Sequence, residues 1–197
     1  MKLLITTLTI ILISFSSMAE NFYIGITAGQ TEVDTGITEI VGSTLDEDGT
    51  GNSFFIGKKI NSNISIEGFY TDLGKVSLSG NSGDTFVYNN STLQFNRTGT
   101  IESVQTTYGI AGKIHIVNDE TANLFLKAGY HSWESELRVA SGTTSASITT
   151  DGTDLIYGLG GEYRFNDQFS FISGYDNYTL NNEDITYLYA GVKLSIY

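Results

Sequence analysis

Only two side chains in this sequence carry an imidazole, His115 and His131, and there is no cysteine. A serine hydrolase needs a base beside its nucleophile, so any such site must use one of these two. His131 is followed by Ser132, Glu134 and Ser135, the residue types of a Ser-His-Glu site. The spacing argues against one. In an extended chain residues 131 and 132 point to opposite faces. Ser135 shares a face with His131 but lies roughly 13 Å further along a strand, at about 3.3 Å per residue. Lack of cysteine excludes thiolate zinc sites, disulfides and a cysteine nucleophile. Asp46-Glu47-Asp48-Gly49 is a fragment of a calcium loop without the full ligand spacing or the final Glu, and reads as a solvated acidic loop. No catalytic residue, cofactor or metal site is expected.

The charged residues with regular spacing point to a different use. Glu67 lies four residues after Asn63, Lys127 four after Asn123, Lys113 five before Asn118 and Glu162 four before Asn166. Each sits at a similar distance from a short Asn-containing turn, on the face opposite a row of Ile, Leu and Tyr. Alternation with period two runs through eight segments: 21–32, 52–60, 64–76, 103–116, 123–137, 154–165, 169–179 and 185–197. In 154–165, Leu155, Tyr157, Leu159, Tyr163 and Phe165 share a face, and Asp154, Gly158, Gly160, Glu162 and Arg164 share the other.

The joins alternate in length. Those around 61–63, 118–122 and 166–168 are short, whereas 34–51, 77–102 and 138–152 are long, polar loops; the last join on the long side, 181–184, is short. Short turns at one end and long loops at the other are the plan of an outer-membrane barrel. The run Lys59-Ile60-Asn61-Ser62-Asn63-Ile64-Ser65-Ile66 repeats as Arg164-Phe165-Asn166-Asp167-Gln168-Phe169-Ser170-Phe171, with a looser copy from Ile114 to Leu126. Three such hairpins plus a first and a last strand make eight strands.

Composition agrees. The chain of 197 residues has 12 Tyr, 11 Phe and 22 Gly, and no Pro. A formal charge of −12 argues against a nucleic-acid partner, which needs a basic face. Met1 and Lys2, the apolar run Leu3–Ile13 and Ser17-Met18-Ala19 read as a secretory signal peptide over residues 1–19, leaving a barrel domain over 20–197. The run is shorter than the roughly 20 residues a transmembrane helix requires, so a membrane form must be a barrel.

Two facings are open to such a barrel. In water the apolar rows turn inward; in a membrane they meet lipid and polar groups fill the interior. Gly25, Gly29, Gly109, Gly129, Gly158 and Gly160 lie opposite the apolar rows, among lone charges. Small residues and isolated charges suit a narrow interior, so the membrane form is expected. Glu67, Lys113, Lys127, Glu162 and Arg164 then form a structural charge network inside, since buried charges must find partners. Trp133, Tyr70, Tyr163 and Tyr175 read as residues of the aromatic girdles.

Asn21-Phe22-Tyr23-Ile24-Gly25, Ile66-Glu67-Gly68-Phe69-Tyr70-Thr71-Asp72-Leu73-Gly74, Phe125-Leu126-Lys127-Ala128-Gly129 and Gly160-Gly161-Glu162-Tyr163-Arg164-Phe165 together resemble the OmpA-like transmembrane domain. The resemblance covers nearly the whole chain after the signal peptide. It implies an eight-stranded antiparallel up-and-down β-barrel in the Gram-negative outer membrane, with periplasmic termini and extracellular long loops. It also implies inward charges at Glu67, Lys127 and Glu162. Where such proteins usually carry an inward Arg and Glu on the seventh strand, this chain has Ile172 and Gly174, with Asp176 nearby. The family's terminal aromatic assembly signal corresponds to Tyr197, one residue beyond the lipid-facing phase of Ile196.

The expected function is a structural, envelope-integrity or surface-interaction role without catalysis, with minor pore activity at most. A lipid A-modifying barrel enzyme and a soluble periplasmic ligand-binding barrel are the alternatives. Expected partners are outer-membrane lipid, lipopolysaccharide and the barrel-assembly machinery, with the protein itself a monomer.

Overall fold

The computed structural model describes residues 21–181 and 183–196. The signal peptide read over 1–19 and the terminal Tyr197 lie outside them. All regular structure is β: β1 (Phe22–Val33), β2 (Ile37–Val41), β3 (Thr44–Asp46), β4 (Asp48–Lys59), β5 (Ile64–Gly80), β6 (Thr85–Tyr88), β7 (Ser91–Gln94), β8 (Gly99–Asn118), β9 (Ala122–Ser141), β10 (Thr144–Arg164), β11 (Phe169–Leu180) and β12 (Glu183–Ile196). Eight of these form an antiparallel ring, β1-β4-β5-β8-β9-β10-β11-β12, closed by the pairing of β12 with β1. The ring removes every sheet edge at membrane depth, as a hydrocarbon surround demands.

The three short turns share one device, which explains the sequence repeat. Asn61 Oδ1 accepts the backbone N–H groups of Asn63 and Ile64 at 2.8 and 2.9 Å. Asn166 Oδ1 does the same for Gln168 and Phe169 at 2.9 and 2.8 Å. Asp119 Oδ1 serves Thr121 and Ala122 at 2.9 and 2.6 Å. A carboxamide or carboxylate at the head of the turn satisfies N–H groups that the ladder cannot.

Facing follows the membrane inversion. Ile26, Ile110, Leu159 and Leu188 point outward and are 57–58 % exposed. The opposite parity is inward and packed, with Tyr23, Phe55, Phe125 and Tyr189 in the lumen. Inward glycines make room for these rings: a Cβ on Gly25 would overlap Phe55, and one on Gly57 would overlap Tyr23. Large and small residues thus alternate across neighbouring strands of a narrow barrel. Tyr70, Tyr163 and Tyr175 are outward, as girdle residues should be. Trp133 is not. It shares the parity of Lys127 and His131, is 8 % exposed, and donates from Nε1 to Asp154 Oδ2 at 2.8 Å inside the barrel.

The other correction concerns the long loops. Residues 138–152, expected as a loop, are continuous strand: β9 and β10 pair from Ala122↔Tyr163 to Ser141↔Thr144 around a turn at Gly142. β8, β9 and β10 run for 20, 20 and 21 residues, about twice the 9–11 needed to cross a bilayer. Their upper halves rise from the barrel as a blade. The 77–102 segment likewise extends β5 and β8 and adds the hairpin β6–β7, which with β2 forms a separate three-stranded sheet. That small sheet stacks on the blade through Leu78, Phe86 and Phe95, with Ile37, Leu45 and Ile101 around them.

Candidate functional site

The lumen is filled in layers, beginning at the short-turn end. Ser65, His115 and Asn123 come first. Ser65 Oγ lies 3.1 Å from His115 Nε2, and His115 Nδ1 lies 2.8 Å from Asn123 Oδ1.

The ionic layer follows. Lys113 Nζ is 3.0 Å from Glu67 Oε1 and 3.3 Å from Glu162 Oε1. The second oxygen of Glu162 accepts from Lys193. Lys127 pairs separately with Asp176 Oδ2 at 2.6 Å. All six side chains are at most 8 % exposed. Three cations meet three anions, so the layer is neutral if all are ionised. Each ammonium also faces a ring: Lys113 lies 3.6 Å from the Phe125 centroid, Lys127 4.9 Å from Phe69 and Lys193 5.1 Å from Tyr23. Such contacts return part of the solvation that burial removes.

Above the ions lie hydroxyls. Thr27 Oγ1 and Tyr187 Oη are 3.1 Å apart, Thr71 Oγ1 and Tyr178 Oη 3.2 Å, and Thr107 Oγ1 and His131 Nδ1 2.6 Å. An apolar cap closes the top: Val33, Leu73, Val76, Leu180 and Ile185 are all buried. The void bounded by Glu67, Lys127, Asp176, Tyr187 and Tyr189 holds about 10 Å³, the space of one water. Asp176 Oδ1 has no protein partner there.

Of the five residues read as the interior network, the structure brings Glu67, Lys113 and Glu162 into one cluster and places Lys127 in a neighbouring pair. Arg164 is not among them. It keeps the inward parity but sits at the short-turn rim, where Nη1 donates to Asp119 O at 2.7 Å and Nη2 to Asn118 Oδ1 at 2.9 Å. A side chain two residues below Glu162 is level with the turn, and its guanidinium reaches turn carbonyls before carboxylates. Lys193 was missed, although it lies opposite the outward row Leu188, Ala190, Val192 and Leu194, and that parity marks it as inward. Asp176 compensates for Ile172 and Gly174 by meeting Lys127 from β11.

The residues that suggested a Ser-His-Glu site separate as the spacing required. His131 is buried inside, while Ser132 bonds outward to Thr153 Oγ1 at 3.1 Å. Glu47, from the acidic stretch, accepts the Thr35 hydroxyl at 2.5 Å. The unexpected arrangement is Ser65–His115–Asn123, which has the connectivity of a nucleophile, base and orienting group. Its serine is 0 % exposed. A nucleophile sealed in a packed lumen has no space for an acyl group beside it, and the trio serves as a hydrogen-bonded floor beneath the ions.

The family described as "Outer membrane protein beta-barrel domain" matches residues 5–195. Solved structures share the fold at low identity. Ail, the attachment invasion locus protein of Yersinia pestis, is 16 % identical with a TM-score of 0.54, covering 89 % of this chain and 98 % of that one. Neisserial surface protein A is 14 % identical with a TM-score of 0.54, covering 88 % and 96 %. OprG of Pseudomonas aeruginosa is 11 % identical with a TM-score of 0.51, covering 88 % and 95 %. A search of curated proteins gave no match. With its outward apolar band, closed ring and family match, the chain belongs to the outer membrane protein beta-barrel domain family and is an outer-membrane β-barrel.

Proposed function

We propose that this barrel is a non-enzymatic surface-interaction protein, anchored by its plugged lower half and presenting the blade to the cell exterior. Export by the residue 1–19 signal peptide would leave both termini on the periplasmic side with the short turns. The observation that carries the reading is the edge of β10. On one side β10 is paired with β9 along its length; on the other, β11 covers only Ile156–Arg164. Residues 144–155 therefore present backbone N–H and C=O groups with no strand beside them among the described residues. Residues 144–151 are exposed throughout. Neither Pro nor Lys guards the edge in Thr144-Ser145-Ala146-Ser147-Ile148-Thr149-Thr150-Asp151, and Asp151 is its one charge. An open strand of this kind accepts an added strand from an extended polypeptide.

Charge narrows the partner. At this end Asp46, Asp48, Glu134, Asp151 and Asp154 outweigh Lys75, Arg97 and Arg138. An extended segment with basic side chains fits; a polyanion does not. Ail has been crystallised with the heparin analogue sucrose octasulfate, so a related fold can bind a polyanion, but the acidic blade points this chain the other way. The same acids would bridge to lipopolysaccharide phosphates through divalent cations. The filled lumen and its apolar cap support an anchor in place of a diffusion pore.

The test is backbone hydrogen exchange on the protein in lipid nanodiscs, with an extended heptapeptide alternating Lys and Thr as probe. Amides of residues 144–155 should slow, and Ile148→Lys should abolish the slowing while the barrel stays folded. Unchanged exchange at this edge would reject the reading. A hydrolase using Ser65 is the second reading, favoured by the Ser65–His115–Asn123 geometry and opposed by burial. Fluorophosphonate labelling of Ser65 in the folded protein would overturn the non-enzymatic role.

A further inference from the structure

The stacking of the small sheet β2-β6-β7 on the blade leaves a cleft at its inner end, over the apolar cap of the barrel. It measures about 340 Å³, within the range of small-molecule sites. Its walls are apolar: Leu45, Val76, Leu78, Tyr88, Leu93 and Leu137 all line it. Leu93 and Leu137, at 43 % and 40 % exposed, leave apolar surface of this cleft open to water, which is costly.

Thr35, Ser77, Ser103, Gln105 and Glu183 break the apolar lining. Gln105 lines the base and is 5 % exposed. Its Nε2 donates to Ser103 Oγ at 2.8 Å, and its Oε1 has no partner. Glu183 lines the cleft from the β11–β12 turn. Partial burial, then the neighbouring Asp34 carboxylate, push the Glu183 carboxyl above the usual carboxylate range. Two like charges at one rim lack a cation, and none of the cleft-lining residues supplies one.

We infer that this cleft is a binding site for a small amphiphilic amine, with an apolar or aromatic body between the two sheets and an ammonium group at the Glu183 rim. The ammonium donates to the Glu183 carboxylate and carries a charge that offsets Glu183 and Asp34. An acid would meet those carboxylates as like charges, and an alcohol would gain the hydrogen bonds without the ionic attraction. The strand edge plays no part in this site, so either can fail without the other.

The experiment is equilibrium dialysis of the full protein in nanodiscs against protein-free nanodiscs, with 2-naphthylethylamine, 2-naphthylethanol and 2-naphthylacetate as probes. The amine should bind saturably at one per chain, about tenfold tighter than the alcohol, the scale of one charge-assisted contact. The acid should not bind. Glu183→Gln should bring the amine to the level of the alcohol. Leu137→Trp, which fills the cleft from an exposed position on β9, should remove both. Heat-dependent gel mobility checks that each variant is folded. Uptake of the amine equal to that of empty nanodiscs, or unchanged in folded Leu137→Trp, overturns the site. Binding of the acid as tight as that of the amine overturns the ligand class.

Discussion

The membrane half of the barrel and the blade above it are built from the same strands, β8, β9 and β10, yet they obey different rules. Below, each residue faces either hydrocarbon or a packed lumen, and lipid-facing and lumen-facing positions alternate along each strand. Above, both faces of the β9–β10 hairpin meet water, and Ser and Thr occupy either parity. The ion pairs show the same divide. Lys113, Glu67, Glu162 and Lys193 are sealed in the lumen, whereas Lys75–Glu102 at 2.9 Å and Arg138–Glu136 at 2.6 Å are solvated. Geometry is similar in both places. What differs is the medium, and the medium decides how much a partner matters.

The largest effect should come from breaking the buried cluster at its hub. Glu162→Ala leaves Lys193 without its carboxylate and Lys113 with only Glu67. Removing one member of a buried pair costs about 3–5 kcal/mol, because an uncompensated charge remains. Urea unfolding in lipid vesicles should show that loss. The double variant Glu162→Ala/Lys193→Met should recover much of it, since the stranded charge has gone. If the double variant is as unstable as the single one, the penalty is a packing loss and the ionic account fails. Replacing the separate pair by Lys127→Met/Asp176→Leu should be close to neutral in the same assay.

Next in size is the lipid face. Leu159 is 58 % exposed on the outward row of β10. Leu159→Arg places a guanidinium against hydrocarbon and should cost roughly 2–4 kcal/mol if this row lies near the bilayer midplane. The matching change on the blade, Ile148→Arg, should cost less than about 0.5 kcal/mol, since Ile148 is 66 % exposed to water. Equal losses at both positions would erase the boundary between the two regions.

That boundary also explains what the sequence made legible. Eight strands could be read because lipid on one face and packing on the other force period two, and because Asn61, Asp119 and Asn166 mark the turns. The inward parity of Glu67, Lys113, Lys127 and Glu162 was legible for the same reason. Their pairing was not. Lys127 meets Asp176, and Lys113 meets Glu67 and Glu162, across 46–49 residues of chain, and which ends meet depends on barrel closure and strand stagger. Ser65, His115 and Asn123 come from three strands and converge for the same geometric reason. The blade escaped notice because two wet faces erase alternation, so 138–152 looked like a polar loop. Trp133 has the residue type of an aromatic girdle but the phase of the lumen, and phase decides where its side chain goes.

The smallest effect is the sharpest test of the comparison. Lys75 on β5 donates to Glu102 on β8 with shorter geometry than Lys113 makes to Glu162, 2.9 Å against 3.3 Å. If distance governed stability, Lys75→Ala would be the costlier change. But the Lys75 side chain is 61 % exposed, so water solvates both charges when the pair is absent. Exposed pairs of this kind are worth about 0–1 kcal/mol, and salt screens them further. Lys75→Ala should therefore shift the urea midpoint slightly and lose even that shift in about 1 M salt, where the screening length falls to roughly 3 Å. The Glu162→Ala penalty should persist in the same salt, because bulk ions do not reach side chains that are 1–4 % exposed in a packed lumen. A salt-sensitive Glu162 variant would mean that the lumen admits solvent, and the plugged anchor would have to be redrawn as a pore.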